Sequence, residues 1–134
     1  TEMTHWFSAN RKPTDPMMLV GDLNIAPLEC DVWSHKQLLK VVSHTPIEVD
    51  HLNRLMRASD WIDTARYLTP EPQKLFTWWS YRSREWSTAN KGRRLDHIWV
   101  TPILEQKIIG SGVLRDARGW EKPSDHAPVT TDLD

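Results

Sequence analysis

Nine prolines divide these 134 residues into short segments, and where they fall limits what each segment can become. Proline fixes its own φ, lacks a backbone N–H and restricts the residue before it. Pro13 and Pro16 therefore close the helical spacing of Met3, Trp6 and Phe7, after which residues 17–20 read as a buried strand ending at Gly21. Asp22 and Asn24 then fall on the loop leaving that strand, where side chains can face a cleft. Pro123 and Pro128 hold Asp125 and His126 stiffly at the entrance to a last strand, Val-Thr-Thr-Asp-Leu, whose period-2 alternation anchors them. Taken alone, an Asp-His pair is most simply a turn in which the carboxylate bonds nearby N–H groups.

The remaining segments mix helix and strand. A short helix is expected around residues 35–42. A longer one starts at Thr45, with Pro46 at its first position and Glu48 completing a capping box, carries the apolar stripe Val49, Leu52, Leu55 and Met56, and ends near Ser59. Beyond the Pro70 and Pro72 loop, the aromatic run at 75–81, residues 93–101 and residues 107–115 read as strands. Without a regular βαβ repeat, the class is α/β or α+β with a largely antiparallel sheet, and the length points to one domain over 1–134.

Composition narrows the function classes. A net charge of −1 argues against binding polyanions with the whole surface, so any basic patch must be local. Such a patch lies at residues 82–94, where Arg82, Arg84, Lys91, Arg93 and Arg94 face the single acid Glu85. Eight tryptophans are an excess, and Trp78, Trp79 and Trp86 flank or sit within the patch, where an indole can stack on an unpaired base. Strand alternation assigns Trp79 to the core. No apolar run approaches membrane-spanning length, and the lone Cys30 fits a reducing, cytoplasmic setting. The spacing of His35, His44 and His51 matches no compact metal-ligand motif, so they read as surface or capping residues.

Four short motifs stand in order: Gly-Asp-Leu-Asn at 21–24, Trp-Trp-Ser-Tyr-Arg at 78–82, Arg-Arg-Leu-Asp-His at 93–97 and Pro-Ser-Asp-His-Ala-Pro at 123–128. Together they resemble the exonuclease III family of DNA-repair nucleases, within the wider endonuclease/exonuclease/phosphatase superfamily, from about Met17 to Asp134. The resemblance implies that Asp22 orients or deprotonates the attacking water, that Asn24 helps hold water and phosphate, and that His126 donates to a phosphoryl oxygen while Asp96 braces it. A carboxylate on the second ring nitrogen fixes the tautomer and makes the imidazole a better partner for a developing oxyanion. By the same resemblance Asp125 belongs with a metal, Mg²⁺ or Mn²⁺, Trp78 and Leu95 line an abasic-sugar pocket, and Arg82, Arg84, Lys91 and Arg93 contact DNA. Arg93 stands where some relatives carry a pocket aromatic.

The implied fold is the second half of a two-sheet, four-layer sandwich. The motifs found belong to that half alone, and the early Asn, the main metal-ligating Glu and the phosphate-contacting Tyr of the first half have no counterpart upstream of Met17. A lone half should expose an apolar sheet face and pair with itself or with another polypeptide. Its expected partner is duplex DNA with abasic sites or 3′ ends, with the isolated chain inactive or weak. Two other readings remain open: a catalytically silent module that binds nucleic acid or protein, and a phosphoesterase of the same superfamily acting on a phosphoinositide or other phosphoester.

Overall fold

In a computed structural model that describes residues 1–134, β1 (Met18–Asp22) lies antiparallel to β3 (Asp96–Val100), and the two-residue β2 (Ile62–Asp63) pairs with the other edge of β3. A second antiparallel pair joins β4 (Ile108–Val113) to β5 (Val129–Leu133). Helices α1 (Glu2–Asn10), α2 (His35–Leu38), α3 (Pro46–Ala58), α4 (Thr64–Leu68) and α5 (Trp86–Ala89), with 3-10 turns at Glu29–Asp31, Pro102–Lys107 and Arg115–Gly119, complete the elements, and no helix is long and apolar enough to cross a membrane. The mixed class with antiparallel sheets is the one expected.

Alternation along the strands separates a core face from an open one. Leu19 and Trp99 are cross-strand partners and join Leu52 and Leu55 of α3 and Trp61 in one buried cluster, against which Phe7 of α1 packs. On the opposite face Val20 pairs with Ile98 and Asp22 with Asp96, and Val20 is 62% exposed. The apolar open face is thus continuous with the two carboxylates.

Helix α3 follows its capping signal. The Glu48 carboxylate accepts from Ser43 N at 3.0 Å, Thr45 N at 3.1 Å and Thr45 Oγ1. Burial alone would raise the Glu48 pKa, and these bonds outweigh it to hold the carboxyl below its ordinary range.

Several expectations need correction. Residues 75–81 form no strand: Thr77 N and Trp78 N both reach Arg93 O, a bulged pairing that leaves only single bridges from Trp78 to Arg93 and to His126. For the same reason β3 begins at Asp96 rather than at 93. Asp22 is the last residue of β1 rather than a loop residue, and the helix expected over 35–42 stops at Leu38. His44 is no surface residue: it is 3% exposed, its Nδ1 donates to Ala26 O at 2.7 Å, and its Nε2 meets His35 Nδ1 at 2.8 Å.

A buried ionic network joins segments far apart in sequence. Arg94, 1% exposed, donates Nε to Asp31 Oδ1 at 2.6 Å, Nη2 to Asp31 Oδ2 at 3.0 Å and Nη1 to Asp63 Oδ2 at 2.6 Å, while Arg66 Nη2 reaches Asp31 Oδ1 at 2.6 Å. Two acids and two bases are balanced, and the bidentate geometry suits guanidinium. Burial alone would raise the Asp31 pKa, yet Arg94 and Arg66 prevail and hold it below the usual carboxylate range. A depressed carboxyl contributes stability that is complete above its unfolded value of about 3.9 and is lost as pH falls through the folded value. Asp31→Asn leaves Arg94 under-compensated and is expected to cost about 3 to 5 kcal/mol. Thermal melts followed by circular dichroism from pH 7 to pH 2 check both points: the variant melts lower at pH 7, and the difference shrinks in acid.

Candidate active site

The site begins with a backbone reversal. Gly21 has φ +148 and Asn24 φ 54, and the Gly21 value is one that residues with a Cβ rarely adopt. Asn24 N donates to Asp22 Oδ1 at 2.9 Å, so the carboxylate that closes β1 also organises the loop after it.

Opposite Asp22 in the β1–β3 register is Asp96, two like charges on neighbouring strands, a destabilising pair unless something lies between them. His126 does. Its Nδ1 donates to Asp96 Oδ2 at 2.8 Å and its Nε2 lies 3.7 Å from Asp22 Oδ2. The first distance is a hydrogen bond and the second is not, so Nε2 remains available to a third group. Ligand atoms of Asp22, Asp96 and His126 lie within 4.8 Å of one another.

Thr77 fixes this arrangement and was not anticipated. Its Oγ1 accepts from Leu95 N at 3.0 Å and Asp96 N at 3.2 Å and donates to Asp96 Oδ2 at 2.6 Å. Two N–H groups occupy its lone pairs, so its proton has one destination. The available clue was a hydroxyl flanked by Phe76 and Trp78, which must find a partner when buried.

The proline-bracketed segment is zipped to the same neighbourhood. Trp79 N donates to Asp125 O at 3.0 Å, Ala127 N to Thr77 O at 2.7 Å, and His126 N to Ser124 Oγ at 3.0 Å. Asp125 stands outside the three-residue cluster, and its Oδ2 accepts from Trp78 Nε1 at 2.9 Å. Its Oδ1 makes no hydrogen bond within the chain, so it keeps an open oxygen beside the site. Oxygen donors without a thiol suit a hard divalent cation. Two or three carboxylates would leave most of six positions to water or to groups outside these residues.

A groove of about 1000 Å³ adjoins the cluster, and Asn24 borders it. Trp78, Arg82, Lys91, Arg93 and Leu95 line it, joined by Trp33, which Lys91 covers at 4.7 Å from the ring centroid. Arg84 is exposed but does not line the groove. Trp79 is core, with Nε1 donating to Asn90 Oδ1 at 3.0 Å.

The pattern of the Endonuclease/Exonuclease/phosphatase family matches residues 2–126. The chain belongs to that family. Within it, the chain is 31% identical to the exodeoxyribonuclease III of Haemophilus influenzae over 96% of its length, and 33% identical to the DNA repair nuclease APEX1 of Danio rerio over 86%. Those alignments span 49% and 35% of the relatives, so the chain covers about half or less of the family members it matches. Among solved family folds, an AP endonuclease from Archaeoglobus fulgidus superposes with a TM-score of 0.94 at 25% identity, over 98% of this chain and 51% of that one. The 3′ phosphatase NExo from Neisseria, bound to a product DNA hairpin, gives 0.87 at 27% identity, over 98% and 50%.

If Asp96 and Thr77 set the tautomer, ¹⁵N spectra of the histidines will show His126 protonated at Nδ1, and Asp96→Ala will abolish that bias. Thr77→Val removes a hydrogen bond to a charged acceptor and is expected to cost about 1.5 to 3 kcal/mol, checked by denaturant unfolding.

Proposed function

We propose that this chain supplies the acid–base side of a metal-assisted phosphodiester hydrolase acting on DNA, of the exodeoxyribonuclease III type. What supports the reading most is the Asp22–His126–Asp96 arrangement, in which one imidazole nitrogen is braced and the other faces a carboxylate across a 3.7 Å gap. Asp22 at the mouth of that gap orients or deprotonates the attacking water, and Asn24 holds water and phosphate beside it. His126, oriented by Asp96 and through it by Thr77, keeps its Nδ1 proton on Asp96 and, when its ring carries a second proton, donates that one from Nε2 to a phosphoryl oxygen as charge develops there. Asp125, with water and groups outside these residues, would hold Mg²⁺ or Mn²⁺, which when bound would offset charge on the phosphoryl oxygens.

The groove supplies DNA contacts through Arg82, Lys91 and Arg93, which line it together with Trp78, Leu95 and Asn24. Arg84, exposed nearby, adds to the same field. Binding through these groups weakens with salt. Duplex DNA with abasic sites or 3′ ends is the proposed partner, which accords with the names of the relatives.

As a single domain of 134 residues forming the second half of the family fold, the chain needs the rest of that fold for full activity. The exposed Val20–Ile98 face beside the carboxylates is where a second sheet, or a second copy, covers it. Sedimentation is expected to show self-association that Val20→Lys reduces; a monomer at high concentration would contradict this.

The function is tested by placing this chain in the position of the matching half of the Haemophilus influenzae relative. The chimera is expected to nick abasic duplex DNA with Mg²⁺, and Asp96→Asn or His126→Ala to lower the rate by about 10² to 10⁴. Near-normal cleavage by either variant would overturn the assigned roles.

A further inference from the structure

The groove beside the cluster is lined by apolar and polar side chains together, and one of its cations, Arg93, has no counter-ion. Arg93 is half-buried with its guanidinium over the Trp78 ring, Cζ 5.1 Å from the centroid. Nη1 is held by Val42 O at 3.0 Å and Ser43 Oγ at 2.9 Å, which fixes the plane of the group. Nε is enclosed without a partner, and Nη2 makes no hydrogen bond within the chain. Burial pushes its pKa below the ordinary arginine value, and no carboxylate forms an ion pair with it. Glu48 is the single acid lining the groove, and its Oε2 already accepts from Ser43 N, Thr45 N and Thr45 Oγ1. Arg82 and Lys91 add to the positive charge.

We infer that Arg93 sets the substrate class of this groove, selecting an unpaired, base-bearing 3′-terminal nucleotide over a base-free sugar. The inference rests on the DNA reading above and names its substrate.

A base-free deoxyribose is neutral and lacks a π face, so a site that encloses it well is apolar. Entering here, it would strip water from Arg93 and offer neither charge nor stacking in return. A nucleobase stacks on a guanidinium plane as it does on an aromatic ring, and the phosphate it carries offsets the charge. Because Arg93 already covers Trp78, the surface offered to the ligand is the guanidinium rather than the bare indole.

The test measures binding without cleavage. In EDTA, fluorescence anisotropy compares a labelled duplex ending in a mismatched 3′-thymidine with the same duplex ending in a tetrahydrofuran nucleotide. The chain is expected to bind the thymidine end about tenfold more tightly, within the range of base stacking. Arg93→Lys keeps the charge and loses the plane, so the ratio falls towards one; Arg93→Leu also abolishes the preference. Tight binding of both duplexes with a ratio near one overturns the role of Arg93 and leaves the DNA reading standing, and this needs no variant. A tenfold ratio that Arg93→Leu leaves unchanged also overturns it. Binding of neither duplex overturns both.

Discussion

Two carboxylates placed opposite each other on neighbouring strands repel, and the register that pairs Asp22 with Asp96 makes this unavoidable. The chain meets the repulsion by bringing His126 from 30 residues beyond Asp96 and setting it between them. One ring nitrogen is committed to Asp96 and the other looks towards Asp22, so the device that relieves the repulsion also leaves a directed ring nitrogen at the surface. The rest of the site holds that imidazole in place. Thr77 orients the Asp96 carboxylate from behind, and the backbone bonds between residues 77–79 and 125–127 set the height of the ring.

Stiffness at the site depends on charge burial elsewhere. The Arg94 backbone N donates to Asp31 O at 2.8 Å while its side chain closes the Asp31–Asp63–Arg66 network, so the residue two before Asp96 is fixed from both directions. A buried network of this kind is weak evidence of stability as such. Here it joins α4, β2 and the loop after β1 to the start of β3. The opposite face of the sheet is apolar and open, and its continuity with the carboxylates makes the cluster the rim of a surface rather than an enclosed pocket.

What the sequence revealed followed from distance along the chain. The α3 cap was legible because Thr45, Pro46 and Glu48 are neighbours. The strand carrying Leu19 and the one carrying Trp99 were legible because a short apolar, β-prone run is a local signal, but residues 17–20 are not the buried strand expected: the sheet has one open face, so Leu19 is buried while Met18 and Val20 are exposed. Asp22, Asn24, Asp96 and His126 were legible as a set only through the order of four motifs, and the structure brings three of them together and places Asn24 on the loop that follows Asp22. Thr77 was not, since its partners are 18 and 19 residues away and nothing near it in sequence marks a carboxylate. The Asp31–Arg94 pair, 63 residues apart, left no local signal either. The aromatic run at 75–81 misled because β-propensity reports packing on a pleated surface and is blind to a bulge that ends the pairing.

Asp22, Asn24 and His126 are proposed to face one phosphorus atom, and an NMR titration of the isotopically labelled chain with the dinucleotide d(TpT) in EDTA tests this. The Asn24 amide, the Asp22 carboxylate and His126 Nε2 are expected to shift together with one dissociation constant. Shifts confined to other surfaces, with those three signals unmoved at saturation, would contradict it.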